Sequence, residues 1–130
     1  MNQLIIKQKM KQFKADGFID RYSGDKLINP GILKVLSFYF PEEFPYHPHG
    51  KMTEGHIAYW ELIPTIDHIY PIAKGGHDDK SNWVTTSMKN NSIKSNYTID
   101  EIHWNNLGKK TVGEIITGYL VAERPININP

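Results

Sequence analysis

The sequence predicts an α+β domain in which a strand–loop–strand–helix unit is flanked by further helices. Two short β-branched stretches, 65–70 and 83–86, predict the strands, and the Gly-Gly pair between them predicts a tight connection. The segment 87–95 has helical character, and Ser87 at its start is a favourable N-cap residue. We therefore expect two strands followed directly by a helix at the centre of the fold.

The flanking segments complete the predicted fold. Apolar residues and lysines in residues 1–14 predict a short amphipathic helix, and turn signals around 18–22 predict a strand or hairpin. Residues 32–40 predict a buried helix that ends at Pro41, and 58–63 predict a strand. Capping boxes at 98–101 and 111–114 predict two later helices. We expect a single domain over 1–130, with an N-terminal helix and hairpin (1–28), a core motif (58–96) and C-terminal helices (98–123).

The composition is that of an ordinary globular protein, and it limits the available chemistry. The 130 residues are 39% hydrophobic and 22% charged, and no apolar run is long enough to span a bilayer. The absence of cysteine excludes disulfides, thiolate catalysis and cysteine-bound zinc. Any metal must therefore be held by carboxylate, imidazole, amide or backbone oxygen. We expect a cytoplasmic protein.

The charge is unevenly distributed, although the net charge is only +1. Four lysines precede the first acidic residue, Asp16, and residues 80–97 contain three lysines and no acid. Basic stretches of this kind can follow a phosphate backbone. A solvated lysine face is the alternative interpretation, and charge alone favours it.

The stretch 64–95 contains the residues that indicate chemistry. Asp67 and His68 lie on the first predicted strand, Asn82 opens the second, and Asn91 lies on the following helix with Lys94 three residues on. Histidine titrates near neutral pH, so His68 is suited to take a proton from water. The pattern is typical of a site that hydrolyses phosphodiesters, in which a cation offsets the charge that builds on the phosphate.

The same residues indicate which cation is expected. Asp67 offers an anionic oxygen and Asn91 a neutral amide oxygen, and this pair suits Mg²⁺ or Mn²⁺ better than Zn²⁺. Asn82 is better suited to bridge the loop and to fix the backbone or ring of His68. Adjacent strand residues face opposite sides, so Asp67 and His68 would reach one phosphate only if the strand bends near its end.

These motifs resemble a known family. The run Asp-His-Ile-x-Pro, then Gly-Gly-x-Asp-Asp-x-x-Asn, then Asn-x-x-Lys is similar to the HNH endonucleases, whose core is the ββα-metal (His-Me finger) fold. The closest similarity is to versions with an Asp-His first element and an asparagine ligand, as in the HNH domain of Cas9. The surrounding sequence is also similar to stand-alone bacterial HNH proteins. The resemblance implies DNA cleavage with one divalent metal: Asp67 and Asn91 as ligands, His68 as general base, Asn82 as the middle residue, and Lys94 near phosphate.

The chain departs from many HNH proteins in one respect. Those proteins frame the motif with two Cys-x-x-Cys pairs that hold structural zinc, and here the corresponding stretches are 20–24 and 87–90. We therefore expect no structural zinc and a frame held by packing, with Trp60, Trp83 and Tyr22 as candidates.

Several alternatives stay open at this point. His68 alone would be read as a buried structural histidine, and Asn90 is the fallback for Asn91. Lys74 and Lys89 are candidates, with Lys94, for phosphate contacts. We expect DNA as the partner, with RNA as an alternative substrate, no membrane, and a homodimer if both strands are cut. The rival functions are a non-catalytic nucleic-acid-binding module and a subunit of a larger nuclease or restriction complex.

Overall fold

The computed structural model describes residues 3–104, which form a mixed helical fold around a small sheet. The two strands are β1 (Pro64–His68) and β2 (Trp83–Ser87), and short 3-10 turns precede α3 and occupy the connection between the strands. The helices are α1 (Gln3–Ala15), α2 (Pro30–Tyr39), α3 (Ala58–Glu61) and α4 (Met88–Lys94). Of the C-terminal helices expected over 98–123, residues 99–103 form turns and not a helix, and His103 has a positive φ of 57°, which an α-helix does not accommodate. The part of these helices expected from residue 105 onward lies outside the described residues.

The sheet consists of β1 and β2 paired antiparallel, and α4 follows β2 directly. Asp67 is opposite Val84 and His68 is opposite Trp83. Because side chains alternate along a strand, Thr65 and Asp67 share one face of β1 and His68 belongs to the other. The order of two strands and one helix agrees with the sequence-based expectation and is compatible with a ββα arrangement.

The predicted start of α4 is confirmed. The hydroxyl of Ser87 accepts a hydrogen bond from the backbone N–H of Asn90 at 3.0 Å, as expected of an N-cap. This cap fixes the register of α4 and therefore decides which of its side chains face β1. Among residues 3–104, no helix is long and apolar enough to cross a membrane.

The core lies between the sheet and the segment that follows α1. Tyr22, Val84 and Ile99 are buried together, and Ile69 and Trp104 pack against them. The rings of Tyr22 and Trp104 are 5.5 Å apart. The segment around Tyr22 lies outside the strand–strand–helix unit in sequence, but the Tyr22 side chain packs against β2 in the core.

Three further sequence-based expectations need correction. Residues 58–63 do not form a strand: α3 begins at Ala58, because the His56 ring accepts the Ala58 backbone N–H and satisfies a helix-start donor. The 18–22 segment forms no regular strand, because the chain turns after Asp20, but a short hairpin does form: Ile19 makes an antiparallel bridge to Lys26, and the Leu27 backbone N–H donates to the Phe18 carbonyl at 2.7 Å. The helix over 32–40 exists, but it is not buried: only Leu33 and Ser37 are buried, and Phe38 is 79% exposed.

Candidate active site

Asp67 is a buried carboxylate near the C-terminal end of β1, only 7% exposed. Its Oδ2 atom accepts a hydrogen bond from the Tyr22 hydroxyl at 2.6 Å and forms an ion pair with the Lys94 ammonium at 3.0 Å. Within residues 3–104, the other oxygen, Oδ1, has no hydrogen-bond partner. Asp67 therefore has one oxygen that is firmly held and a second that is available to a ligand.

Tyr22 remains a hydrogen-bond donor to Asp67 under all ordinary conditions. Burial, reinforced by the negative charge of Asp67 and the hydrogen bond to it, raises the pKa of the Tyr22 hydroxyl far above its usual value. The hydroxyl is therefore protonated at any working pH. Sequence reasoning considered Tyr22 only for packing, and no local sequence signal links it to a residue 45 positions away.

Lys94 is completely buried beneath β1. Besides the ion pair with Asp67, its ammonium donates a hydrogen bond to the backbone carbonyl of His68 at 2.9 Å and lies 5.9 Å from the centre of the Tyr22 ring. An ammonium in this position cannot reach a phosphate on the surface. The phosphate contact expected of Lys94 is therefore incompatible with this structure, in which Lys94 instead joins α4 to the end of β1.

Asn91 faces the same side of β1 as Asp67. Its Nδ2 atom donates to the Thr65 hydroxyl at 3.0 Å and, more weakly, to the Ile66 carbonyl at 3.4 Å. The amide oxygen is then free to act as a ligand. Asn90, the alternative, points elsewhere, because its side chain donates to Asp20. Asn91 and Lys94 are three residues apart, so both project from one face of α4 towards β1.

His68 lies on the opposite face of β1 from Asp67, at the last residue of the strand. Its Nε2 atom is 2.8 Å from the Asp78 carboxylate, which also accepts a hydrogen bond from the Trp83 indole at 3.0 Å. The hydrogen bonds from His68 and Trp83 hold the pKa of Asp78 below its usual value. Sequence reasoning overlooked Asp78, although it lies in the Asp-Asp pair of the loop.

Asn82 ties the loop between the strands to the residues that follow His68. Its Oδ1 atom accepts the backbone N–H of Tyr70 at 2.8 Å, and its Nδ2 atom donates to the carbonyls of Tyr70 and His77, both at 2.9 Å. These contacts are to the backbone of Tyr70 and His77 and not to the His68 ring. Asn82 thus constrains the path of the chain on which His68 lies.

The segment that contains these side chains is similar to a known protein family. Residues 53–99 match the HNH endonuclease family. The resemblance read from the sequence is confirmed over this segment, which contains β1, β2, α4 and the side chains described above. No curated protein and no solved structure matches the chain significantly.

Lys74 and Lys89, the other two lysines expected to contact nucleic acid, form ion pairs with acidic residues. Lys74 donates to Glu101 at 2.7 Å, and Lys89 lies 3.9 Å from Glu61. Both pairs are partly exposed, and exposed ion pairs are weak and easily exchanged. The two lysines therefore lie at the surface beside the HNH segment with their charges partly neutralised.

A buried carboxylate, Asp20, links the two stretches at which many HNH proteins have cysteine pairs. It accepts five hydrogen bonds: from the Tyr22 and Ser23 amides, the Thr86 hydroxyl, the Ser87 amide and the Asn90 side chain. The expectation that packing alone holds this frame was incomplete. Tyr22 does pack in the core, but a network of hydrogen bonds centred on Asp20 joins the N-terminal turn to the β2–α4 junction.

HNH nucleases generally use a divalent metal, and the donor types at Asp67 and Asn91 fit one. Each residue has one oxygen without a partner in the described part of the chain, and carboxylate and amide oxygens suit a hard cation. Lys94 already neutralises part of the Asp67 charge, which weakens attraction for a second cation. No group of three or more acidic, histidine or cysteine side chains is arranged for a metal among residues 3–104.

Proposed function

We propose that this protein is a metal-dependent endonuclease that hydrolyses phosphodiester bonds of DNA. The observation that carries the proposal is the side-by-side placement of Asn91 on α4 and Asp67 on β1, within the segment that matches the HNH family. The Asp67–Lys94 contact and the Asn91–Thr65 contact both draw α4 onto the same face of the strand. This is the face from which one acidic and one amide oxygen are offered to a ligand.

Each residue has a role in the proposed reaction. His68 acts as the general base and takes the proton from the attacking water. Asp78 orients the His68 ring, and Asn82 fixes the backbone beyond it. Asp67 and Asn91 hold one divalent metal, Mg²⁺ or Mn²⁺. When bound, this ion supplies positive charge against the negative charge that develops on the phosphate and the leaving oxygen.

The two faces of β1 impose a geometric requirement on this mechanism. Asp67 is buried on one side, whereas the side chain of His68 is 30% exposed on the other. The scissile phosphate must therefore lie at the end of β1, where the strand stops at His68 and a ligand can approach both faces of the strand around its edge. Lys74 and Lys89 are proposed to contact flanking phosphates after exchanging their acidic partners.

A non-catalytic nucleic-acid-binding module is the second candidate. The observation that favours it is the ion pair between Lys94 and Asp67, because an ammonium on the carboxylate competes with a metal. A plasmid-nicking assay in Mg²⁺ or Mn²⁺ separates the two functions. We expect wild-type protein to nick DNA and His68→Ala to lose this activity while it retains DNA binding. DNA binding by wild-type protein without cleavage in either metal would favour the module instead.

A further inference from the structure

An apolar cavity of about 410 Å³ lies at the start of β1 and α4, away from Asp67 and His68. Its lining includes the aromatic residues Tyr46, Tyr59 and Trp60, together with Ile63 and Met88. The Met88 backbone N–H donates to the Ile63 carbonyl at 3.1 Å, and these two residues directly precede β1 and begin α4, so the lining is continuous with both elements of the candidate site. The cavity volume is within the usual range for small-ligand pockets.

The aromatic side chains form a wall that offers ring faces to a flat ligand. The rings of Tyr46 and Tyr59 are 5.2 Å apart, and the Tyr59 hydroxyl donates to the Leu33 carbonyl, which fixes its ring against α2. Tyr46 is 46% exposed, so its ring remains accessible at the mouth. Every nucleobase has a π face, and stacking on an aromatic side chain therefore accepts any base.

The charge around the cavity matches a phosphate backbone. Lys34 and Lys51 contribute to the lining, together with three histidines, and the described lining includes no acidic residue. Lys34 lies 5.9 Å from the centre of the Tyr46 ring, which places a cation beside the aromatic wall. Lys51 forms an exposed ion pair with Glu54, with 3.0 Å between Nζ and Oε1. An apolar interior with a cationic rim is complementary to a base joined to anionic phosphates.

The cavity is close enough to the candidate site for one strand to occupy both. Asp67 is four residues along β1 from Ile63, a distance of about 13 Å at a strand rise of about 3.3 Å per residue. This distance corresponds to at most about four nucleotides, the number at the stacked-duplex rise of about 3.4 Å, and to fewer where the strand is unstacked and extended. A strand held at the end of β1 could therefore place a neighbouring base in the cavity.

We propose that this cavity binds an unstacked nucleobase of the DNA strand, with the adjoining phosphates near Lys34 and Lys51. This inference rests on the proposed nuclease function and assigns that function a substrate preference. The substrate would present a single-stranded or extruded nucleotide a few positions from the scissile phosphate. A continuous, fully stacked duplex would leave the cavity unused, because its bases are not accessible to the aromatic wall.

Binding measured by fluorescence anisotropy in the presence of a metal chelator tests this proposal without cleavage. The probes are a short oligothymidylate and an oligonucleotide of the same length in which every base is missing. We expect Tyr46→Ala to weaken binding of oligothymidylate roughly tenfold and to leave binding of the abasic strand unchanged. Lys34→Ala should weaken binding of both strands. Tyr39→Ala, which removes an exposed ring at the end of α2 outside the cavity, should change neither.

The possible outcomes separate this inference from the proposed function. Equal losses on the two strands for Tyr46→Ala, or no loss on either, would overturn the base-binding cavity. If nicking of plasmid DNA nevertheless depends on His68, the nuclease proposal survives that result. Failure of wild-type protein to bind either strand would overturn the cavity as well, whereas loss of nicking alone with the expected binding pattern would contradict only the nuclease.

Discussion

Asp20 and Asp67 are two buried carboxylates that both contact Tyr22, yet their surroundings differ in kind. Asp20 uses both oxygens to accept five hydrogen bonds from uncharged donors. Asp67 uses one oxygen, which receives a hydroxyl and a buried ammonium. The first carboxylate is saturated by the protein. The second retains accepting capacity at Oδ1.

This difference is the one we expect between an acid that only holds the fold together and an acid that binds a ligand. Both oxygens of Asp20 already accept hydrogen bonds, so neither is available to a ligand. The donors come from the N-terminal turn, β2 and α4, and Asp20 therefore joins these three parts of the chain. An incompletely satisfied carboxylate next to an amide and a histidine is typical of a site that is completed by a ligand.

The largest effect is expected for Asp20→Ala. The substitution leaves several buried donors without an acceptor and separates the N-terminal turn from the β2–α4 junction, so we expect a loss of at least about 3 kcal/mol in the free energy of unfolding. Urea denaturation followed by circular dichroism measures this loss. Asp25→Ala, at an exposed position of the same turn, is the control and should change stability by less than about 0.5 kcal/mol. Equal effects of the two substitutions would show that Asp20 does not hold the frame.

Removal of the buried ammonium by Lys94→Met is expected to cost about 3 kcal/mol, because it leaves the Asp67 charge buried without a counterion. Thermal unfolding should recover when Asp67→Asn is added, since the double variant has no unpaired charge. We also expect Mg²⁺ to raise the melting temperature of Lys94→Met more than that of wild-type protein. An identical Mg²⁺ response in the two proteins would argue against a cation at Asp67.

The smallest effect in this series is expected for Asp78→Asn, which weakens the contact that orients His68. We expect kcat for DNA cleavage to fall roughly tenfold with little change in KM or stability. The matched control is Asp79→Asn, because Asp79 is in the same loop but bonds to Ser81 and not to His68. A change in KM alone would indicate that Asp78 affects DNA binding and not the orientation of His68.

The sequence predicted those parts of the structure that depend on local patterns. The strands appeared where β-branched residues cluster, and α4 began where Ser87 provides an N-cap. At Thr98 and Glu101 each side chain accepts the backbone N–H of the other, as in a capping box, but residues 99–103 form turns and not the helix that this pattern predicted. Asn91 was distinguishable from Asn90 by its spacing to Lys94, which reflects the period of a helix.

The remainder depends on contacts between distant parts of the chain. Asp20 bonds to residues 66–70 positions away, and Tyr22 reaches Asp67 across 45 positions. No periodicity in the sequence encodes such pairs. Lys94 appeared to be a surface lysine because lysine is rarely buried, and only the docking of α4 on β1 gives its charge a partner. The segment 58–63 has strand-forming residues, but a bond from the Ala58 amide to His56 starts a helix instead.

The most direct test of the account compares Asn91→Ala with Asn90→Ala in a plasmid-nicking assay with Mg²⁺ or Mn²⁺, at temperatures where both variants are folded. The two side chains are adjacent in sequence, but Asn91 faces Asp67's side of β1 and Asn90 contacts Asp20. We predict that Asn91→Ala reduces nicking at least about a hundredfold, whereas Asn90→Ala lowers stability and retains activity. Activity that survives in Asn91→Ala and is lost in Asn90→Ala would contradict the proposed site.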